Sequence, residues 1–313
     1  MEDVETLSIP EGHIFLTSST PRPVNATNAA QSLRQRPTLL FIHAGIADYT
    51  MWDDQVNYFD DRGWRCLRYD MFGYGNSVPC DRYIKTEPRA KVTHVEHTFL
   101  VIKAYLDRTR GGLYGYGVNE KFVVIGLSRG AGIALDFSLA YSHFVAGLVL
   151  CAGGVSGLEF PNTEDEDTLF RIYDSCVAAK NKESAAKMNV RIWGDGTQAH
   201  EGRLNNDTRR KMLTWCRDVA DREIDNVGGC TIPCEESCGQ GSAAKLLHSI
   251  KVPTLVATGR YDESGTTAAM RHVAGTLGDT ALLKDFETAH MINLEEALQF
   301  NMWVEQYLKQ FIH

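Results

Sequence analysis

Short apolar runs recur along the chain, and helical patterns stand between most of them. His13–Thr17, Thr38–His43 (TLLFIH), Trp64–Asp70 (WRCLRYD), Lys121–Gly126 (KFVVIG), Ala146–Ala152 (AGLVLCA), Val252–Gly259 (VPTLVATG) and Ala281–Phe286 are each of strand length. Near-continuous apolar runs of that length, bounded by glycine or polar residues, suit strands covered on both faces. Trp52–Phe59, His94–Arg108 and Gly130–Phe144 carry helical spacing, with Ile133, Ala134, Phe137, Tyr141 and Phe144 on one face of the last. Leu294–Phe311 reads as a final amphipathic helix. Alternation of this kind predicts an α/β fold with a doubly wound, mostly parallel sheet. The polar stretch Ser18–Arg36 and the glycine-rich Gly111–Gly117 read as loops.

Between Gly157 and Lys245 the strand rhythm stops, and a polar, mostly helical pattern takes over. This segment is too poor in apolar residues to stand as a domain of its own. It therefore reads as a helical cap, or lid, inserted into a core formed by 1–156 and 246–313.

Composition narrows the class. With 313 residues, 43% hydrophobic and 23% charged, the chain can bury a large single core. A net charge of -8 argues against nucleic acid as the main partner. No apolar stretch reaches the length of about 18 residues that a membrane span needs, and the acidic start MEDVETLSIPEG does not resemble a signal peptide. A cytoplasmic protein with no membrane partner is expected, its eight cysteines reduced. Cys66 and Cys151 fall in or beside core strands, whereas Cys230, Cys234 and Cys238 lie in a loop whose spacing does not match a zinc site. No metal is expected.

The chemistry centres on Gly126-Leu-Ser-Arg-Gly130, placed between a strand and a helix. Flanking glycines allow a strained turn that lifts the Ser128 hydroxyl above the sheet, as a nucleophile requires. A serine hydroxyl needs a base to take its proton and an acid to orient that base, in the chain order Ser, acid, His for this architecture. Asp262 follows the strand PTLVATG, and His290 lies between the strand ALLKDF and the last helix. Both stand where a triad needs them, with Glu263 the rival acid and helix capping the plainer role for Asp262. The oxyanion would be met by the backbone N–H of Arg129 and by that of Gly45 or Ile46, in the loop after TLLFIH. Other candidates read as structural. His43 closes a strand and stabilises the following loop; His94 and His97 read as a solvated helix face; Gly73 and Gly75 read as a turn, since Val78 breaks any dinucleotide pattern.

The stretches HAGIADYTMWD, RYDMFGYGNS, IGLSRGAGIALDFSL, VPTLVATGRYD and AHMIN, in that order, resemble the successive signatures of the α/β-hydrolase superfamily. The HAG loop and SRG elbow are most similar to esterases and enol-lactonase-like members with a helical cap. The resemblance implies an eight-stranded sheet with its second strand antiparallel, a cap after strand six, and a triad of Ser128, Asp262 and His290 working without a cofactor. It implies a serine hydrolase that opens a small ester or lactone through an acyl-enzyme, with Arg191 and Trp193 of the cap shaping the pocket. C–C bond hydrolysis and cofactor-free perhydrolysis use the same triad and stay open, as does a non-hydrolytic biosynthetic or ligand-binding member of the fold.

Overall fold

The computed structural model describes residues 2–19, 36–86, 93–110, 120–225 and 242–312. Its strands are β1 (Glu2–Ile9), β2 (Gly12–Ser19), β3 (Thr38–Ile42), β4 (Cys66–Tyr69), β5 (Phe122–Leu127), β6 (Val145–Cys151), β7 (Thr254–Gly259) and β8 (Ala281–Phe286). They form one eight-stranded sheet in the order β1-β2-β4-β3-β5-β6-β7-β8. β1 pairs antiparallel with β2 and β2 antiparallel with β4, while every pairing from β4 to β8 is parallel.

β1 is the one strand that the apolar pattern does not announce. Glu2–Ile9 lies at the sheet edge and its side chains are exposed or half-buried, so it is rich in acid and carries no continuous apolar run. β3, β5 and β7 are buried at every residue, as strands covered on both faces must be.

Two apolar layers result, because successive side chains of a strand point to opposite faces. Leu39, Phe41, Val123, Ile125 and Leu255 pack on one face against α1 (Asp53–Asp60) and α11 (Ala297–Phe311), with Trp52, Phe59 and Phe300 filling the layer. Leu40, Ile42, Val124, Leu148 and Val256 pack on the other face with Ile102, Phe137 and Val273. These three come from α3 (His94–Arg110), α4 (Arg129–Ala140) and α9 (Ser264–Leu277). A short helix, α2 (Asp81–Lys85), follows the β4 turn. Within α1, Asp60 is buried and Asp53 pairs with Arg68.

The segment between β6 and β7 folds as α5 (Glu164–Ala178), α6 (Lys182–Val190), a π-helical turn (Arg191–Asp195), α7 (Asn206–Ile224) and α8 (Ala243–Leu246). Ala186, Val190, Met212 and Cys216 join the same apolar layer as Trp52 and Phe41. Trp215 donates its indole N–H to Thr50 Oγ1 at 3.1 Å. The inserted helices are thus packed onto the sheet's own core. α10 (Ile292–Glu295) precedes α11, so the predicted last helix is two helices broken at Glu296. No described helix is long and apolar enough to cross a membrane.

Candidate active site

The turn from β5 to α4 holds Ser128 at φ 59°, ψ -121°, in a region that costs a non-glycine residue free energy. Its neighbours explain how the turn closes. A Cβ on Gly126 would lie 2.1 Å from the Gly130 carbonyl oxygen, and one on Gly130 would lie 2.2 Å from the Ile42 oxygen. Only bare backbone lets strand, turn and helix approach so closely. The Ser128 N–H donates to the Cys151 carbonyl at 2.8 Å, and the Ser128 carbonyl accepts from Ala131 at 2.9 Å. Arg129 opens the helix, so its amide has no intrahelical acceptor.

On the neighbouring β3 loop, Ala44 donates its amide to the Met51 sulfur at 3.2 Å and Ala47 donates to the Ala44 carbonyl at 3.1 Å. The amides of Gly45 and Ile46 lie between these two bonded ones. A Cβ on Gly45 would be 3.2 Å from Arg129 Nε, so this loop adjoins the elbow. His43 anchors the loop: its Nδ1–H donates to the Ala44 carbonyl at 2.8 Å and its Nε2 accepts the Met71 amide at 2.9 Å. Full burial lowers its pKa to about 4, so the ring is neutral, as that bonding pattern requires.

Asp262 and His290 come from the loops after β7 and β8, and both are 2% exposed. The two loops are held together by Arg260 N–H to the Phe286 carbonyl and Tyr261 N–H to the Thr288 carbonyl, each 2.9 Å. His290 Nδ1 then lies 3.0 and 2.9 Å from the two carboxylate oxygens of Asp262. Glu263 turns the other way, its carboxylate accepting from the Thr266 hydroxyl. Asp262 Oδ1 also takes the Glu263 amide at 2.8 Å, which fixes the carboxylate plane.

Ser128 and His290 face a cleft of about 480 Å³, whose wall also includes His94, Arg129, Asp136 and Trp193. Trp193 comes from the π-helical turn and sits 4.4 Å from the His290 ring, between centroids, at 48°. A π-helical turn is uncommon and tends to mark functional positions. The insertion reaches this point through Gly196 (φ 93°), whose Cβ would lie 2.2 Å from the Tyr261 oxygen.

Two of the sequence expectations need revision. Arg191 does not line the cleft: its guanidinium donates to the carbonyls of Gly196 and Ala199, at 2.6 and 3.0 Å, and braces the turn that carries Trp193. His94 and His97 are not a solvated face, being 8% and 3% exposed. Spacing of three on a helix shows only that two residues share a face, and here that face points inward. Asp136 in the cleft wall was not anticipated, although it lies two turns beyond Arg129 on the same helix face. Burial pushes the thiols of Cys66 and Cys151 upward and leaves them inert. Cys230, Cys234 and Cys238, and most of the Ser18–Arg36 and Gly111–Gly117 stretches, lie outside the described residues. Among the described residues no cluster of three or more His, Cys, Asp or Glu could hold a metal ion.

A proline iminopeptidase of Saccharolobus solfataricus is 23% identical over 268 residues, spanning 80% of this chain and 76% of that protein. A 2-hydroxy-6-oxononadienedioate/2-hydroxy-6-oxononatrienedioate hydrolase of a Pseudomonas species is 22% identical over 268 residues, spanning 84% of each. Among solved structures, the thermophilic esterase of Thermogutta terrifontis aligns over the whole of both chains with a TM-score of 0.65 and 18% identity. The enol-lactonase of Burkholderia xenovorans LB400 aligns over 98% of this chain and 100% of its own, with a TM-score of 0.63 and 19% identity. At such identities the structural likeness speaks to the fold. The family described as alpha/beta hydrolase fold matches residues 37–297, from the start of β3 past β8, and the protein belongs to that hydrolase family.

Proposed function

We propose that this hydrolase is a serine esterase or lactonase that works on a small substrate through an acyl-enzyme. The observation that carries the reading is the sharing of one cleft by Ser128, on its strained turn, and His290, whose Nδ1 is held by the Asp262 carboxylate. Ser128 Oγ attacks the acyl carbon while His290 Nε2 takes its proton. Asp262 keeps the proton on Nδ1, so that Nε2 is the basic nitrogen, and then stabilises the imidazolium. Charge on the carbonyl oxygen is met by the Arg129 amide and by that of Gly45 or Ile46, worth roughly 3 kcal/mol for each donor. His290 protonates the leaving alcohol, and water takes its place to release the acid. The names carried by the relatives, iminopeptidase, dioate hydrolase, esterase and enol-lactonase, span several acyl substrates, so the pocket rather than the fold sets the choice. The helices of 157–245 serve as the cap, with Trp193 covering His290 and narrowing the acyl pocket.

Labelling the folded protein with a fluorophosphonate tests the nucleophile. Modification is expected at Ser128 and absent in Ser128→Ala, together with loss of turnover on a short-chain aryl ester. Turnover surviving in Ser128→Ala would overturn the reading. Asp262→Asn is expected to keep the fold and lower kcat on the order of 10⁴-fold, because the histidine then favours the wrong tautomer.

A further inference from the structure

Many arginines of this acidic chain find a carboxylate: Arg65 with Glu120, Arg68 with Glu2 and Asp53, Arg203 with Glu295 and Arg209 with Asp195. Arg129 does not, among the described residues. It directly follows the elbow serine, is exposed, and lines the cleft. Its guanidinium packs on Gly45 and donates to the Tyr74 hydroxyl, whose ring centroid lies 5.6 Å away. Tyrosine fixes its direction without neutralising it. A pinned, uncompensated guanidinium beside the nucleophile is a preformed receptor for a planar anion.

A second feature of the same cleft is independent of the first. His94, the first residue of α3, contributes to the wall and is 8% exposed, yet neither ring nitrogen has a hydrogen-bond partner among the described residues. A buried polar group left unpaired is costly and is commonly kept for a reason other than stability. Burial, and then the Arg129 charge, hold its pKa well below the ordinary value, so the ring is neutral and carries one N–H. Thr93, His94 and Val95 present the α3 N-terminus to the cleft, where the helix dipole favours negative charge. Asp136, two turns along α4 on the same helix face as Arg129, also lines the cleft and accepts the Ser156 hydroxyl at 3.3 Å. The Arg129 guanidinium and the α3 N-terminus thus line the same cleft as Asp136 and Ser156.

We propose that Arg129, backed by His94 and the first turn of α3, binds a carboxylate carried by the substrate, so that the enzyme selects small anionic esters or lactones. The proposal rests on the hydrolase reading above for the chemistry, though not for the binding. The cleft's volume suits a small molecule with its charge a few bonds from the scissile carbonyl.

The test compares the 4-nitrophenyl hemiester of glutaric acid with its uncharged methyl diester. The wild type is expected to favour the hemiester in kcat/KM by roughly 10–100-fold, as a charge-assisted bond allows. Arg129→Gln should abolish that ratio, mostly through KM, Arg129→Lys should keep part of it, and His94→Gln should lower it. Thermal shift with glutarate against dimethyl glutarate, on the full chain, reads binding without turnover. Glutarate alone should raise the Tm of the wild type, and it should not do so for Arg129→Gln. Fluorophosphonate labelling with equal use of both esters and no glutarate shift would overturn the anion site and leave the hydrolase reading standing. An Arg129-dependent glutarate shift with no labelling and no turnover would do the reverse. A ratio that falls equally in Arg129→Lys and Arg129→Gln, with unchanged glutarate shifts, would assign Arg129 a merely structural role and overturn the proposal.

Discussion

Ser128 carries backbone strain that glycine would not, and the cost shows how the elbow is built. A non-glycine residue at φ 59°, ψ -121° costs of order 1–3 kcal/mol. Ser128→Gly should therefore stabilise the fold, by about 1 kcal/mol once the extra freedom of unfolded glycine is subtracted. Ser128→Ala keeps the Cβ and should leave stability nearly unchanged. Chemical denaturation of both variants checks this, and a midpoint for Ser128→Gly below that of Ser128→Ala would mean that the turn is unstrained. Ala152, at φ 47° where β6 enters the cleft, is a second non-glycine residue in the same situation. Strain of this kind was legible in the sequence because GLSRG encodes it locally: the two glycines flank the turn and can be read without knowing the fold. The partners of Arg191 and the burial of His94 were not legible. Each depends on which face of a helix meets the rest of the chain, and spacing alone leaves that choice open.

Between elements, buried Glu166 and half-buried Arg203 tie the inserted helices to the loops that carry Asp262 and His290. Glu166, in the first turn of α5, accepts the Thr163 amide at 2.8 Å, completing a capping box. Its other oxygen accepts from Thr197 at 2.8 Å, Gln198 at 2.7 Å and the Ser264 amide at 2.8 Å, and Ser264 opens α9 two residues after Asp262. Burial alone would raise its pKa, but the Thr163 and Ser264 amides and the two side-chain donors prevail and bring it to about 2. A carboxylate whose folded pKa is depressed lends stability that is complete above its unfolded value near 4.5 and lost as pH falls towards 2. Glu166→Gln should cost roughly 2 kcal/mol at pH 7 and flatten the loss of stability between pH 4.5 and 2, as urea titrations at several pH values would read. An unchanged acid limb would show that Glu166 is not a tether.

Arg203 makes the companion bridge, donating to the Asp195 and Gly194 carbonyls at 2.7 and 2.8 Å and pairing with Glu295 at 2.6 Å. Glu295 in turn accepts the amide of Ala289, next to His290, at 2.8 Å. Arg203→Ala leaves Glu295 buried without its cation and should cost roughly 3 kcal/mol, with a drop in kcat as the histidine loop loosens. Full stability in that variant would place the tether elsewhere. The helical character of this segment and its place after β6 were legible, because strand rhythm stops where the segment begins. The tethers were not, since capping boxes and arginines on polar helices look alike whether they face solvent or a neighbouring loop.

At the scale of the whole molecule, three imidazoles are buried in uncharged form on or beside the loops and helix around the cleft. Burial lowers His43 and His97 to about 4 and holds His94 well below its ordinary value, with Arg129 adding to the effect on His94 and His43. In the unfolded chain each takes up a proton near pH 6.5. The unfolded state therefore binds more protons than the native state between pH 6.5 and about 4, and stability must fall as pH falls through that window. With three such groups the slope reaches roughly 4 kcal/mol per pH unit near pH 5, enough to consume the margin of an ordinary domain within two or three units. Loss of structure on acidification should thus set in well above the range in which Glu166 is protonated. Urea midpoints measured from pH 7.5 to 4.5 would give the slope directly, and His97→Gln should reduce it by about a third without touching the cleft wall. A flat profile down to pH 5 would mean that these rings are already protonated in the native state. The hydrogen bonds of His43 rule against that for one of them, because a ring that accepts the Met71 amide at Nε2 has no proton there to give.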